Sequence, residues 1–466
     1  MRSITAVLLV AACGGTPRRA APPPPPAAEP HRGAITAQIQ PLIDQEIASS
    51  IVVGIYDAGK TEIYGFGKGP GGAPPTATTL FEIGSITKVY TSLLLADAIQ
   101  RREVSLNQPV AELLPTGVSV PTRDHVAITL KHLALHSSGL PRLPPSILPN
   151  SPDPYARIDE DALYTDLQHT ELESAPGQQI VYSNYGAGLL GFALGKKIDG
   201  SYPRALSDRI LAPLGFHDTY FKVPAAAAAR LARGTNDDLQ PVPPWTFDAL
   251  AGAGALISDA HDQLALISDE LDAAAGGKLP LRAAMRLTQE PQLENQRVNE
   301  GLGWQIDAKG RYWHNGGTAG FHAFVGFDPK TRHGIVVLCS TSVMTLDRLV
   351  DVLYDVLDGK APPAPSYPTA TDLAPLAGHY DFQGMKIDIK VDGKRLYVEG
   401  PGEPRIRMIP LSANEFWIEQ LQALAIFEKQ DGKVLRIVFQ IGEHQLTAPR
   451  TDDAGPPTGT APASGP

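Results

Sequence analysis

Phe81-Glu82-Ile83-Gly84-Ser85-Ile86-Thr87-Lys88 is the stretch from which the rest of the chain is read. It reads as a short lead-in followed by the first turn of a helix, with Val89, Leu93, Leu94 and Ala96 continuing as an apolar face at helical spacing. Ser85 and Lys88 are three residues apart, which on a helix places both side chains on one face, one turn apart. A serine hydroxyl is a poor nucleophile until a base takes its proton. A lysine serves as that base only when its neutral form is populated, through burial or a neighbouring cation. Taken alone the pattern is weak: about one Ser-x-x-Lys arises by chance in a chain of this size, and a capped helix start with a solvated lysine explains it equally well. The surroundings decide.

Length and composition set bounds. The 466 residues suffice for one large domain and a smaller one. A hydrophobic content of 43% with 19% charged residues describes a globular chain. The formal net charge of −10 and the lack of a basic stripe argue against a nucleic-acid partner. No apolar run is long enough to span a bilayer. Of the two cysteines, Cys339 ends a buried-strand pattern, Gly334-Ile335-Val336-Val337-Leu338-Cys339, and reads as a small core residue.

Cys13 reads differently. Arg2, an apolar run over 4–10 and Ala11-Ala12-Cys13 form a secretory signal over 1–13. Its ending resembles the lipobox of bacterial lipoproteins, which implies lipidation at Cys13, a membrane partner through that anchor, and residence in the bacterial cell envelope on the periplasmic or surface side. Residues 14–33 are Pro- and Ala-rich, with five consecutive prolines at 22–26, and read as a semi-rigid spacer. From 34 to 360 the pattern is globular: an amphipathic helix through Ile35, Ile39, Leu42, Ile43 and Ile47, strands over 51–56 and 61–66 around an Asp57-Ala58-Gly59-Lys60 turn, and a closing helix over 346–357.

Two further stretches in this span carry chemistry. Tyr182-Ser183-Asn184 places Tyr182 and Asn184 two apart, on one side of an extended or turning segment. A tyrosine passes protons if a nearby cation lowers its pKa, and an asparagine amide holds both a lysine and a substrate carbonyl. A core tyrosine and a turn asparagine is the plain alternative. His314-Asn315-Gly316-Gly317 reads as a strand edge whose glycines admit a substrate backbone. The amides of Gly317 and Ser85 would form an oxyanion hole, and a glycine-rich hairpin turn is the alternative. His132 and His136 are four apart, but no third ligand accompanies them; they read as structural, and neither a metal nor a cofactor is expected.

In this order, Ser85-x-x-Lys88, Tyr182-x-Asn184 and His314-x-Gly316 resemble the penicillin-recognising serine hydrolases, the class of class C β-lactamases, DD-carboxypeptidases and their esterase and aminopeptidase relatives. The resemblance runs over roughly 34–360 and includes His136–Pro141, Pro213-Leu214-Gly215-Phe216 and Gly301-Leu302-Gly303-Trp304. It implies an α/β (α+β) fold of the β-lactamase/transpeptidase type, with helices packed on an antiparallel sheet. It assigns Ser85 as nucleophile, Lys88 as base, Tyr182 as proton relay, and Asn184, His314, Gly316 and Gly317 as substrate-binding residues. The implied activity is hydrolysis of an amide or ester in a small-molecule or peptide substrate: a D-amino-acid peptide, a peptidoglycan fragment, a small ester or a β-lactam. A penicillin-binding sensor that acylates without turnover is the alternative. The third motif departs from the usual Lys-Thr-Gly. A histidine with a pKa near ~6.5 is mostly neutral at neutral pH, so recognition of a substrate carboxylate is expected to weaken. The chain lacks Gly-x-Ser-x-Gly and His-Glu-x-x-His.

Beyond a Pro-rich linker at 361–369 the character changes. Alternating segments over 386–391, 395–398 and 434–439, with Asp392-Gly393 and Asp431-Gly432 turns, predict a small β-barrel over 370–450, resembling the lipocalin-like domain of some superfamily members. A Gly/Pro/Ala/Thr tail occupies 451–466 and reads as disordered.

Overall fold

The computed structural model describes residues 29–149, 151–276, 280–294 and 299–451. The signal at 1–13 with Cys13, residues 14–28 of the 14–33 spacer and all but the first residue of the 451–466 tail lie outside the described residues. No helix among the described residues is long and apolar enough to cross a membrane.

The chain starts with a helix, Arg32–Asp44, and a hairpin of β1 (Ser50–Asp57) and β2 (Lys60–Gly67). The hairpin turns where the sequence places it, with Ala58 and Gly59 both at positive φ. Along β1, Ile51, Val53 and Ile55 enter one core and Val52 and Tyr56 the other, because successive side chains alternate across a strand covered on both faces. A short pair, β3 (Phe81–Glu82) and β4 (Ile257–Ser258), follows. The main sheet is completed by β5 (Leu293–Glu294), β6 (Asn299–Glu300), β7 (Gln305–Ile306), β8 (Tyr312–Gly317), β9 (His322–Asp328) and β10 (His333–Cys339). Its order is β2-β1-β10-β9-β8-β7-β6-β5, antiparallel throughout. Helices Arg32–Asp44 and Leu349–Leu357 pack on one face and helix Ala260–Ala274 on the other.

The helix carrying Lys88, Thr87–Gln100, differs from the sequence expectation of a single apolar face. Every residue from Thr87 to Ala98 is buried. It lies in the middle of the helical layer, against helices Asn184–Ile198 and Pro280–Gln289, so its polar positions are enclosed as well. Helix Asn184–Ile198 makes this possible by being built of small residues. A Cβ on Gly191 would stand 2.8 Å from the Gly252 Cα, so glycine lets the 248–253 segment lie against the helix.

The C-terminal sheet runs β11 (Gly378–Phe382), β12 (Met385–Asp392), β13 (Arg395–Glu399), β14 (Ile406–Pro410), β15 (Glu415–Ile418), β16 (Ala423–Gln430), β17 (Lys433–Ile441) and β18 (His444–Pro449), paired in sequence order. A bridge between Tyr380 and Arg450 brings the first strand to the last, giving a nearly closed eight-stranded barrel with its own core. The barrel seats on the larger sheet domain within one compact unit, His31–Pro466. Ile409 joins the core formed by Ile35, Ile39 and Leu353. Arg407, buried in β14, donates to the carbonyls of Asp237 and Glu46. Arg395 pairs with Glu46 at 2.7 Å, and Gln420 donates to Asp237 at 2.8 Å.

Candidate active site

Ser85 lies in a single tight turn, Gly84–Ile86, which leads directly into helix Thr87–Gln100. β3 anchors the approach by pairing with β4, and the Ile83 amide donates to the Leu256 carbonyl at 3.0 Å. On the other side the turn meets the end of β8 backbone to backbone. A Cβ on Gly316 would stand 2.0 Å from the Ile83 oxygen and 2.8 Å from the Ser85 nitrogen, so only glycine fits there. Gly84, at φ +50°, approaches the Gly317 amide equally closely. The amides of Ser85 and Gly317 are thereby held on adjoining backbone segments at the edge of the same cleft.

Lys88 is 3% exposed. Its Nζ lies 2.8 Å from Ser85 Oγ, 2.8 Å from Asn184 Oδ1 and 2.7 Å from the Ala253 carbonyl oxygen. Burial, assisted by the Arg142 guanidinium, holds the Lys88 pKa well below the usual lysine range. The partners fit a neutral amine. In its neutral form Lys88 would give its two N–H bonds to Asn184 Oδ1 and the Ala253 carbonyl and keep its lone pair for the Ser85 hydroxyl proton. Asn184 is fixed in turn by donating through Nδ2 to the Tyr155 hydroxyl at 2.9 Å.

Tyr182 lies between the Lys88 amine and the Arg142 guanidinium. Lys88 Nζ is 4.8 Å and the Arg142 guanidinium 5.2 Å from its ring centroid. The His136 ring packs against it at 4.4 Å. From sequence, a nearby cation is expected to lower the Tyr182 pKa. Burial is the larger effect and pushes the phenol up, with the hydrogen bond to Ser85 and the charge of Arg142 offsetting it in part. Tyr182 is therefore a protonated phenol that shares a hydrogen bond with Ser85.

The loop after helix Leu130–Ala134 holds this second motif in place. His136 Nδ1 accepts from the Ser183 amide at 3.2 Å, the Pro141 carbonyl accepts from Ser183 Oγ at 2.7 Å, and the Arg142 carbonyl accepts from the Asn184 amide at 2.9 Å. Ser183 Oγ in turn caps helix Asn184–Ile198 through the Gly186 amide. His132 closes a capping box with Thr129, so both histidines hold local structure. Asp259, His261 and Asp262 are spaced closely enough to share a cation. Asp259 caps its helix, however, and Asp262 accepts from the Asp218 amide and the Thr219 hydroxyl.

The structure thus brings Ser85, Tyr182, Asn184, Gly316 and Gly317 onto one open cleft of about 630 Å³, with Lys88 directly beneath. His314 stands apart from that set. Its ring is buried in a cavity of about 20 Å³, shared with Lys88, His136 and Glu300. Its Nδ1 meets the Asn315 carbonyl at 2.6 Å, and burial beside Lys88 pushes its pKa down to about 4. His314 is neutral, as the sequence suggested, but for the stronger reason that it is enclosed.

Three cleft residues escaped the sequence reading. Arg142 follows the His136–Pro141 stretch by one residue and faces the cleft. Tyr155 supports Asn184 and carries no local signature. Glu419 comes from the barrel, just after β15, and closes one side of the cleft, where Trp417 Nε1 donates to it at 2.9 Å. Only the folded arrangement brings a residue of the barrel to the cleft that Ser85 lines.

A model of the beta-lactamase family matches residues 35–358. Over 359 residues the chain is 27% identical to the beta-lactamase of Escherichia coli (strain K12), covering 69% of this chain and 91% of that one. It is 26% identical over 343 residues to the D-alanyl-D-alanine-carboxypeptidase/endopeptidase AmpH of the same organism, covering 66% and 87%. Among solved structures, a class C beta-lactamase in complex with cefoxitin superposes with a TM-score of 0.61 at 26% identity, covering 70% of this chain and 98% of that one.

Proposed function

The chain belongs to the beta-lactamase family, and on that footing we propose that it is a serine hydrolase that opens an amide or ester through a Ser85 acyl-enzyme, with Lys88 as base and Tyr182 as proton relay. One observation carries the reading: a buried lysine, also bonded to Asn184 Oδ1 and the Ala253 carbonyl oxygen, lies 2.8 Å from Ser85 Oγ. Neutral Lys88 takes the Ser85 proton as Oγ bonds to the substrate carbonyl carbon. The carbonyl oxygen becomes an oxyanion and rests on the amides of Ser85 and Gly317. As the tetrahedral intermediate collapses, the bond to the leaving nitrogen or oxygen breaks. The proton held by Lys88 passes through the Tyr182 hydroxyl to that leaving atom, which restores neutral Lys88. Water then gives its proton to the same pair, attacks the acyl carbon and releases the acid, with the proton returning to Ser85 Oγ.

Both the substrates in the relatives' names, β-lactams and D-alanyl peptides, and small esters fit the cleft's chemistry. The test is turnover of a panel holding benzylpenicillin, a D-alanyl-D-alanine peptide and p-nitrophenyl acetate, with Ser85→Ala alongside. Release of product from at least one, abolished in the variant, supports the reading. An adduct that forms and never decays would replace hydrolase by acylated sensor. For the anchored envelope location inferred from Cys13, mass spectrometry of the membrane fraction is the direct check: a diacylglyceryl adduct supports it, and an unmodified Cys13 rejects it.

A further inference from the structure

The enclosure of His314 leaves the third motif with no charge facing the substrate, yet the cleft holds one permanent cation. Arg142 is the only lysine or arginine among the described residues that line it. Its main chain is fixed, because its carbonyl accepts from the amides of both Asn184 and Tyr185. Its guanidinium lies over the Tyr182 ring, 5.2 Å from the centroid, and so beside the nucleophile. Other arginines in this domain are committed to acids: Arg209 to Asp97 and Glu103, Arg230 to Asp218, Arg311 to Asp307 and Asp351. Arg142 has no such partner among the described residues. Lys88, His136, Tyr155 and Tyr182 feel its charge, and none is a carboxylate. The Arg142 side chain is exposed to the cleft, and its guanidinium fork suits bidentate contact with a planar oxyanion.

We infer that Arg142 is the anion subsite of this cleft, and that the preferred substrate carries a free carboxylate that docks on it. The inference rests on the Ser85 acyl-enzyme reading and names the class of substrate. It replaces the sequence-based expectation of weakened carboxylate recognition: the cation has moved from the third motif to the loop that cradles the second.

The test uses three esters and the full chain. One is phenyl phenylacetylglycinate, which is neutral. The second, m-carboxyphenyl phenylacetylglycinate, has a carboxylate on the leaving group. The third, monophenyl glutarate, has one on the acyl group. The readout is the ratio of kcat/KM for each charged ester to that for the neutral one, which cancels general damage to Ser85 chemistry. In Arg142→Met the ratio should fall about 10- to 100-fold for whichever charged ester reaches the guanidinium, mainly through KM. Arg142→Lys should recover part of it, since the point charge remains without the fork. A ratio unchanged within twofold for both charged esters in Arg142→Met overturns the inference. Hydrolysis that persists in Ser85→Ala would instead overturn the acyl-enzyme reading, so the two failures are separable.

Discussion

A methyl group at Gly316 tests how the site is built. In Gly316→Ala the new Cβ would lie 2.0 Å from the Ile83 oxygen and 2.8 Å from the Ser85 nitrogen. Contacts of real Cβ atoms start near 3.0 Å, so the segment carrying Ser85 and the end of β8 must separate by about 1 Å. A displacement of about 1 Å at reacting atoms costs roughly 10²-fold in rate, and loss of one oxyanion donor costs roughly 10²–10³-fold. The expected fall in the acylation rate constant is therefore at least about 10²-fold, or about 2.7 kcal/mol of transition-state stabilisation. The neighbouring substitution supplies the control. A Cβ on Gly317 meets only the Phe321 oxygen, at 4.0 Å, and the amide is kept, so Gly317→Ala should lose no more than about tenfold. Stopped-flow acylation with both variants, checked by thermal unfolding, makes the comparison. If Gly316→Ala acylates within fivefold of the parent chain, or if the two variants fall equally, the contact between the Ser85 turn and β8 does not set the oxyanion geometry.

Other consequences are independent of that contact. Because Lys88 must be neutral to act, and burial and Arg142 both disfavour its cation, the acid limb of kcat/KM should lie far below the ordinary lysine pKa; removing the Arg142 charge should move that limb to higher pH. A limb that stays in place would deny Arg142 its electrostatic part. Through the carboxyls raised by burial, thermal stability should decline from about pH 4 to about pH 8 and level off above. Glu82, Asp259 and Glu300 are raised by burial to about 7 and Glu270 to about 8, so their contribution is full below their ordinary pKa and is lost as the pH rises through 7–8. Scanning calorimetry should show the decline flattened in Glu270→Gln. In the barrel, Arg407→Met leaves the Asp237 and Glu46 carbonyls without their donor, at a cost of about 1–3 kcal/mol each. The barrel should then melt before the larger domain, and a single unchanged transition would show that these bonds do not hold the two together.

The parts that the sequence made legible are those whose physics is local. Ser85 and Lys88 meet because three residues make nearly one helical turn. The Asp431-Gly432 turn folds as read, with both residues at positive φ, as a two-residue hairpin demands. What escaped depends on enclosure. Whether helix Thr87–Gln100 shows one apolar face or none follows from what surrounds it, and its serine, threonine and aspartate positions gave no sign that other helices would bury them. The direction of the Tyr182 shift turned on burial against the Ser85 hydrogen bond and the Arg142 charge, and sequence does not measure the burial. The same holds for His314, whose residue type was informative and whose position behind Lys88 was not. Glu419 reaches the cleft only because the barrel docks through Arg407, Arg395 and Gln420. Contacts between residues so distant in sequence leave no spacing to read.

The central claim is that Ser85 forms a covalent acyl-enzyme driven by a neutral Lys88. Intact-mass spectrometry of the chain, quenched in acid at intervals after mixing with excess m-carboxyphenyl phenylacetylglycinate, measures it directly. A phenylacetylglycyl adduct should map to the peptide containing Ser85, decay as ester is consumed, and be missing in Ser85→Ala. Ester hydrolysis that proceeds with no adduct at any time, or an adduct that maps elsewhere, would contradict it.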